Sequence, residues 1–178
     1  MLLDFGQPLD GITQVAYVVA DLDRSMSEFT RQLGVGPWFV RGPFRPPQGR
    51  HRGEPTQMSV SLARGFSGHL MVELVIQHDE GRSVYHEEDG PRRYGFHHWA
   101  KLTRDLDGEL ARHREEGHEE AFFDQLASGA RVVYVDTTPD LPGMIELVEC
   151  TPAQERAYAA IYAAAIGWDG SDPVRREG

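Results

Sequence analysis

Cysteine, long apolar runs and an excess of basic residues are all missing from this sequence of 178 residues. The single cysteine, Cys150, excludes a disulfide within the chain. The longest apolar runs, such as residues 15–20, fall far short of the roughly 20 residues that a membrane-spanning helix needs. With 18 basic and 28 acidic residues, the formal net charge is −10, whereas nucleic acids and anionic membranes attract a clustered positive field. We therefore expect no nucleic-acid or membrane partner. Because a secretion signal is also missing, we expect a cytoplasmic location.

An internal repeat is the main feature that the sequence does contain. The motif Asp21–Asp23 recurs at Asp105–Asp107, each time just after an apolar run, and this offset of 84 residues superposes Gln14 on His98. A second pair of matching segments is MVELV at residues 71–75 and MIELV at residues 144–148. That match makes Glu73 and Glu146 equivalent. The chain is therefore predicted to contain two copies of one unit.

Each copy has the pattern of a strand, a helix and three further strands. In the first copy, a strand over 13–20 precedes a helix that is capped near Asp21 or Asp23 and ends at Gly34. In the second copy, the helix after Asp105 has few apolar residues. The remaining predicted strands cover 38–40, 58–62 and 69–77 in the first copy, and 121–126, 131–136 and 144–149 in the second.

Turn-forming and polar segments divide the chain. The stretch from residue 78 to 94 is polar and contains Gly81 and Gly90, as is typical of a linker. Thr151, followed by a proline, begins an alanine-rich helix that should stop at Gly167. The predicted organisation is a first βαβββ module at 12–80, a linker at 81–93, a second βαβββ module at 94–150, a C-terminal helix at 151–168 and a flexible tail at 169–178.

The repeat places polar residues at matching strand positions. Alternate residues of a strand share one face, so Glu73 and Glu146 each lie among apolar neighbours. Two carboxylates that face one cavity repel each other, and a divalent cation removes that cost. The predicted metal ligands are Gln14, Glu73, His98 and Glu146, a set of nitrogen and oxygen donors suited to Zn²⁺, Co²⁺, Ni²⁺ or Mn²⁺.

Each of these residues also has a simpler interpretation. A strand glutamate often pairs with an arginine or faces solvent, and Gln14 would also suit a pocket wall without touching metal. His97 has the opposite strand parity to His98, so a shift of one residue would exchange their roles. The repeat alignment favours His98 as the ligand and assigns His97 to packing or to the surface.

These residues and their spacing resemble the vicinal oxygen chelate superfamily, which includes glyoxalase I, methylmalonyl-CoA epimerase, extradiol dioxygenases and bleomycin-resistance proteins. The resemblance covers roughly residues 12–149. It implies an α+β fold in which two tandem βαβββ modules form a cupped mixed sheet around a metal-containing cleft. The ligand order Gln, Glu, His, Glu looks like that of zinc-type glyoxalase I, whereas segments 18–23 and 33–38 are more similar to the epimerase branch.

The resemblance also implies a reaction. Its enzymes hold substrate oxygens on a divalent metal while a nearby group moves the proton beside a carbonyl. We expect an isomerase, epimerase or lyase with Glu146 as the first candidate base and Glu73 as the second. The substrate would be a small molecule with two vicinal oxygens or an acyl thioester. A homodimer is possible, because modules of this superfamily pair either within one chain or between two.

Two other functions fit the same fold. One is a non-catalytic protein that binds or sequesters a small molecule, as resistance proteins of the superfamily do. The other is an Fe(II) extradiol dioxygenase, which needs two histidines and one carboxylate as ligands. His98 is the only histidine among the four predicted ligands, so the dioxygenase is the least favoured of the three functions.

Four further residues are candidates for substrate binding. Trp38 and Phe39 could shape an apolar pocket, although strand aromatics are commonly core. Arg41 belongs to a basic loop that could hold a phosphate or carboxylate, such as the tail of an acyl-CoA. His69 shares the strand parity of Glu73 and could carry a proton near neutral pH.

Overall fold

The helices and strands follow the predicted order of two similar halves. The computed structural model describes residues 1–86 and 92–176, so the middle of the predicted linker at 81–93 lies outside the described residues. The elements are β1 (Ile12–Val18), α1 (Leu22–Leu33), β2 (Trp38–Phe44), β3 (Arg50–His51), β4 (Glu54–Pro55), β5 (Val60–Ser67), β6 (Leu70–Gln77), β7 (Gly95–Thr103), α2 (Leu106–Glu115), β8 (Glu119–Gln125), β9 (Arg131–Asp136), β10 (Met144–Glu149), α3 (Pro152–Ala165) and β11 (Val174–Arg176).

The two outer helices begin in the same way because both follow the repeated acidic motif. The side chain of Asp21 accepts a hydrogen bond from the backbone N–H of Arg24 at 2.9 Å, and Asp105 accepts one from Gly108 at 3.0 Å. Helix α1 ends at Gly34, whose φ of 65° is a conformation that glycine adopts without strain. Asp21, one of the two predicted caps of the first helix, and Asp105, after which the second helix was predicted, thus set the starts of these helices.

The strands of the described residues form one mixed sheet, in the order β11-β2-β5-β6-β1-β7-β10-β9-β8-β3-β4. The two halves meet along the antiparallel pair β1 and β7. The parallel pairs on either side have matching registers, in which Gln14 pairs with Met71 and Ala16 with Glu73, while His98 pairs with Met144 and Ala100 with Glu146. The predicted α+β class is confirmed, and the matching strands meet within one chain.

The sheet has an outer and an inner face with separate cores. On the outer face, α1 packs over residues such as Trp38 and Leu74, and α2 packs over Val133 and Leu147. The inner face carries the largest apolar cluster. There, Tyr158 and Ile161 of α3 and Phe5 of the N-terminal segment cover the sheet. The inner face is therefore closed over by elements from both ends of the chain.

Two pairings differ from the sequence prediction. The short hairpin of β3 and β4, which follows β2, pairs with β8 of the second half, so a segment of the first module completes the sheet of the other. The predicted flexible tail at 169–178 is partly ordered, because Val174–Arg176 pairs in parallel with Trp38–Val40. The open edge of β2 offers unpaired backbone groups that this segment satisfies.

No helix among residues 1–86 and 92–176 is both long and apolar enough to cross a membrane.

Candidate active site

Four polar side chains converge on the inner face beside the junction of β1 and β7. Their exposed fractions are 0% for Gln14, 1% for Glu73, 0% for His98 and 5% for Glu146. Nε2 of His98 lies 3.4 Å from Oε2 of Glu146 and 3.9 Å from Oε1 of Glu73. Nε2 of Gln14 lies 3.4 Å from Nε2 of His98 and donates to Oε2 of Glu146 at 3.3 Å. The structure thus brings together the four residues that the repeat predicts as ligands.

Arg64 is a fifth member of the site that the sequence analysis did not identify. Its Nε donates to Oε2 of Glu73 at 2.5 Å, and its side chain is 22% exposed. The strand prediction over 58–62 ended before this position, whereas β5 continues to Ser67. An arginine in line with Val60 and Leu62 on an inner strand face was the available signal. Glu73 therefore has the arginine partner that the simpler interpretation proposed.

The neighbouring histidine, His97, fixes the orientation of His98. Nε2 of His97 lies 2.8 Å from the carbonyl oxygen of Val84, which can only accept, so Nε2 carries the proton. Nδ1 of His97 then accepts from Nδ1 of His98 at 2.8 Å. This leaves the lone pair of His98 on Nε2, directed at the carboxylates. His97 packs against the rings of Tyr85 and Tyr134, as the sequence prediction of a packing role expects, and it also orients His98, as groups behind a metal-binding histidine do.

Burial controls the charges of the site. It lowers the pKa of His98 to about 4, although the carboxylate of Glu73 acts in the opposite direction. It raises the pKa of Glu146, and the Arg64 guanidinium and a hydrogen bond from Tyr134 only partly offset this effect. His98 is consequently neutral at neutral pH, and Glu146 is a stronger base than a carboxylate in water.

Beside these groups lies a small cavity of about 40 Å³. Its polar wall includes Arg64, Glu73 and Glu146, and the rest is largely apolar. The remaining lining residues are Phe44, Pro46, Met58, Val60, Leu62, Tyr85, Phe122, Asp124, Leu126, Val132, Tyr134 and Tyr158. An apolar cavity that binds benzene measures about 150 Å³. A substrate therefore needs more room than this small, partly open cavity provides.

A second cavity of about 270 Å³ lies next to the first, and its lining includes Phe96, His97 and Met144. Tyr85 lines both cavities, so its ring lies between them. The hydroxyl of Tyr85 is 3.0 Å from that of Tyr134. This larger space offers a route toward the buried carboxylates if Tyr85 moves.

The four predicted substrate-binding residues do not line the small cavity. Trp38 is 1% exposed in the outer core, and its Nε1 donates to Oγ1 of Thr30 at 2.9 Å. Phe39 packs at the margin of the inner core. The Arg41 guanidinium lies 4.3 Å from the ring centre of Phe44, so it stands behind a wall residue. Nδ1 of His69 lies 3.0 Å from the carbonyl oxygen of Phe5, away from the carboxylates.

The donor set fits a divalent cation. Oε1 of Gln14 is buried without a hydrogen-bond partner, which is costly unless a cation or donor approaches it. A turn of the amide would exchange this oxygen with Nε2, which faces His98 and Glu146. Oε1 of Glu73 is available, because Arg64 holds the other oxygen. Within the part of the chain that the structure describes, His98 and the two glutamates do not have ligand atoms all within 4.8 Å of one another. Since each carboxylate lies within 3.9 Å of Nε2 of His98, the distance between the two carboxylates is the one that would have to shorten for them to share one ion.

Comparison with known proteins identifies the family. The profile of the Glyoxalase/Bleomycin resistance protein/Dioxygenase superfamily matches residues 13–134, which is more than half of the chain. A search of curated proteins finds no match.

Solved structures share the fold at low sequence identity. Methylmalonyl-CoA epimerase from Mycobacterium tuberculosis is 21% identical with a TM-score of 0.59, over 83% of this chain and 93% of that chain. A hypothetical protein from Bacillus halodurans is 16% identical with a TM-score of 0.57, over 79% and 94% of the two chains. A methylmalonyl-CoA epimerase in complex with methylmalonyl-CoA is 16% identical with a TM-score of 0.50, over 82% and 98%. The chain therefore belongs to the glyoxalase, bleomycin-resistance protein and dioxygenase superfamily, as the paired strands and their polar residues indicate.

Proposed function

We propose that this protein is a divalent-metal-dependent isomerase, epimerase or lyase that moves a proton at the carbon beside a carbonyl group. The observation that carries the proposal is the environment of Glu146. This carboxylate is 5% exposed, lies 3.4 Å from Nε2 of His98, and has a raised pKa because it is buried. A base with a pKa closer to neutrality takes a carbon-bound proton more effectively than an ordinary carboxylate.

The cation would be held by Glu73 through Oε1, His98 through Nε2 and Glu146 through its carboxylate. Gln14 would join them through Oε1 only after its amide turns over, because Nε2 is the atom that faces His98 and Glu146. When bound, a divalent cation would supply electrophilic stabilisation for the negative charge that develops on a substrate oxygen. The candidates are Zn²⁺, Co²⁺, Ni²⁺ and Mn²⁺, which suit mixed nitrogen and oxygen donors. Arg64 reduces the charge of the site from −2 to −1 when both glutamates are ionised, so fewer uncompensated charges remain.

The side chains around the site divide the remaining work. Glu146 accepts the proton from the substrate carbon and returns it, while Tyr134 holds this carboxylate by the hydrogen bond that opposes its raised pKa. Arg64 holds Glu73 in place through the 2.5 Å contact. Apolar wall residues such as Phe122 and Val132 exclude water from the space beside Glu146, where the proton is transferred.

The proposed substrates are small molecules with two vicinal oxygens, or acyl thioesters. The structural neighbour solved with methylmalonyl-CoA supports testing thioesters first. Because the inner cavity measures about 40 Å³, binding requires movement of the covering elements. Two wall residues would have to move to make room for a substrate beside Glu146. They are Tyr85, which lies between the two cavities, and Tyr158 of α3.

Isotope exchange tests this function. The protein, loaded with each candidate metal, is incubated in deuterated water with acyl-CoA thioesters that carry a 2-substituent and with adducts of 2-oxoaldehydes. We expect deuterium at the carbon beside the carbonyl, and a loss of about 10²–10⁴-fold in that rate for Glu146→Gln. Glu149→Gln is the matched control, since it removes a carboxylate from the opposite face of the same strand. A rate in Glu146→Gln equal to that of the wild type would exclude this base.

The alternative function is non-catalytic binding of an apolar small molecule. The ion pair between Arg64 and Glu73 favours it, because a guanidinium can satisfy the buried carboxylate without a metal. Metal analysis separates the two functions. The measurement compares the metal content of the wild type with that of His98→Gln, which lacks the histidine of the quartet formed by Gln14, Glu73, His98 and Glu146. If the wild type binds one cation more than the variant, the enzyme is supported. If the two bind the same number, the alternative is supported.

A further inference from the structure

A second group of metal-donor atoms lies on the outer face, at the end of α2. Nδ1 of His113 is 3.1 Å from Nδ1 of His118, and Oε2 of Glu116 is 3.7 Å from the first and 3.6 Å from the second. Two ligands bound about 2.1 Å from a tetrahedral zinc ion lie about 3.4 Å apart. All three donor atoms thus have the spacing of ligands that share one ion.

The end of α2 brings the two histidines together. Glu116 follows the helix, Gly117 has a φ of +88° that reverses the chain, and the N–H of His118 donates to the carbonyl oxygen of His113 at 2.9 Å. A glycine suits this left-handed conformation because it has no Cβ. The side chain of His113 is 3% exposed and that of His118 is 9% exposed. The pair is therefore fixed by the backbone rather than assembled by chance on the surface.

The first half has apolar residues at the matching places. Phe29 lies 84 residues before His113 and, like it, belongs to the helix stripe that faces the sheet. At the end of α1, Gly34 has a φ of 65°, and the N–H of Val35 donates to the carbonyl oxygen of Phe29 at 3.4 Å. Val35 is fully buried. Two imidazoles thus replace an aromatic and an aliphatic contact that would serve packing alone.

Asp140 prepares His118 to bind a cation. Its Oδ2 lies 2.8 Å from Nε2 of His118, and a carboxylate accepts, so Nε2 carries the proton and Nδ1 keeps its lone pair. A carboxylate behind a metal-binding histidine acts in this way. On the other side, the Arg112 guanidinium donates to Nε2 of His113 at 3.1 Å, which places the proton of His113 on Nδ1. A bound ion would move that proton to Nε2 and displace Arg112.

We propose that His113, Glu116 and His118 form a second metal site that binds a first-row divalent cation, most favourably Zn²⁺. Two imidazoles and one carboxylate are donors that Zn²⁺ prefers, and water would complete the coordination because Glu116 is 47% exposed. The ion would join the end of α2 to the start of β8 and, through Asp140, to the segment before β10. Its role is structural and separate from the quartet, which lies on the other face of the sheet.

Zinc titration of the purified full chain, monitored by calorimetry, tests the site. A His98→Gln background removes the central donor of the quartet, so the remaining uptake reports the end of α2. In that background we expect one Zn²⁺ per chain, and none after a further His113→Phe substitution, which copies the packing residue of the first half. Equal uptake with and without His113→Phe would overturn the proposal.

Two milder substitutions cover the case in which His113→Phe does not fold. Glu116→Gln alters an exposed side chain, and we expect a reduction of at least tenfold in zinc affinity. Asp140→Asn should weaken binding by about 10–100-fold, as expected for a group behind a ligand. Arg112→Met should strengthen it, because the competing donor is gone. Unchanged affinity in all three variants would show that the histidines form only a hydrogen-bonded pair.

Discussion

The two halves of the molecule have the same strand arrangement but differ in the residues that lie beside the two buried glutamates. In the first half, the residue across the strand pair from Glu73 is Arg64, and in the second half the residue across from Glu146 is Tyr134. A guanidinium neutralises its glutamate, whereas a phenol donates a hydrogen bond without adding charge. Glu73 in the first half is thus held by an ion pair, whereas Glu146 in the second half has a raised pKa and can act as a base.

The outer layers of the two halves also differ. Helix α1 packs through Leu22, Met26 and Phe29, an unbroken apolar stripe. In α2 the stripe contains Leu106 and Leu110, but its third position is His113. Ion pairs supplement it, since Arg131 of β9 contacts Asp107 of α2 and Glu149 of β10. Apolar burial holds the first half, and the second relies more on polar contacts.

The largest expected effect on stability tests the cross-strand difference. Arg64→Met leaves Glu73, which is 1% exposed, without a counter-charge. We expect a loss of about 3 kcal/mol in the free energy of unfolding, the lower end for a broken buried pair because Arg64 is partly exposed. Tyr134→Phe at the matching position should cost about 1 kcal/mol, the value of one hydrogen bond. Urea unfolding followed by circular dichroism measures both.

The double variant Arg64→Met with Glu73→Gln is the control for this comparison. It removes both charges, so it should recover most of the stability that Arg64→Met loses. Equal losses for Arg64→Met and Tyr134→Phe, or no recovery in the double variant, would contradict the difference between the two halves.

A smaller effect tests the outer layers. Met26 is 1% exposed, so Met26→Ala should cost about 2 kcal/mol through lost apolar contacts and a cavity. Leu110 at the matching place in α2 is only partly buried, and Leu110→Ala should cost about 1 kcal/mol. Thermal unfolding in the presence of a chelator compares the two without metal at either site. A larger loss for Leu110→Ala would reverse the proposed order.

The smallest effect concerns the ion pairs of the second half. A hydrogen bond from Arg131 lowers the pKa of Glu149 and that of Asp107. Carboxylates with a lowered pKa in the folded state stabilise it above their ordinary pKa, and this contribution is lost as the pH falls through the folded value. Arg131→Gln should therefore cost at most about 1 kcal/mol at pH 7. The difference from wild type should begin to shrink as the pH falls to about 4 and should vanish only below the lowered pKa values of the two carboxyl groups.

Arg31→Gln provides the matched control in the first half. Its partner is Glu28, and the two side chains are 63% and 50% exposed, so we expect no measurable change at any pH. A difference between Arg131→Gln and wild type that stays constant down to pH 3 would show that packing, not charge, stabilises the contact.

The repeat accounts for most of what could be predicted from the sequence. Offsets of matching segments depend only on the order of residues, and strand alternation converts them into a shared face. This reasoning located Gln14, Glu73, His98 and Glu146, whose placement the register of β1 with β6 and of β7 with β10 explains. The caps at Asp21 and Asp105 are equally local, which is why the starts of both helices were predictable.

Contacts between distant segments account for what the sequence did not reveal. Arg64 lay beyond the predicted end of its strand, and only the pairing of β5 with β6 sets it beside Glu73. Strand alternation predicts that His97 points away from the four polar residues, yet its Nδ1 lies 2.8 Å from Nδ1 of His98. The pairing of residues 174–176 with β2 depends on an open edge that no local pattern describes.

The position of helix α3 has a consequence for the rate at which a ligand binds in the cleft. Because Tyr158 and Ile161 are buried against the inner face and Tyr85 lines both cavities, we expect a ligand to reach Glu146 only after α3 or Tyr85 moves. Capture is then a two-step process in which opening precedes contact. The observed association rate should rise with ligand concentration and then level off at the rate of this opening. Conformational gating, rather than diffusion, would then limit how fast the protein binds its ligand.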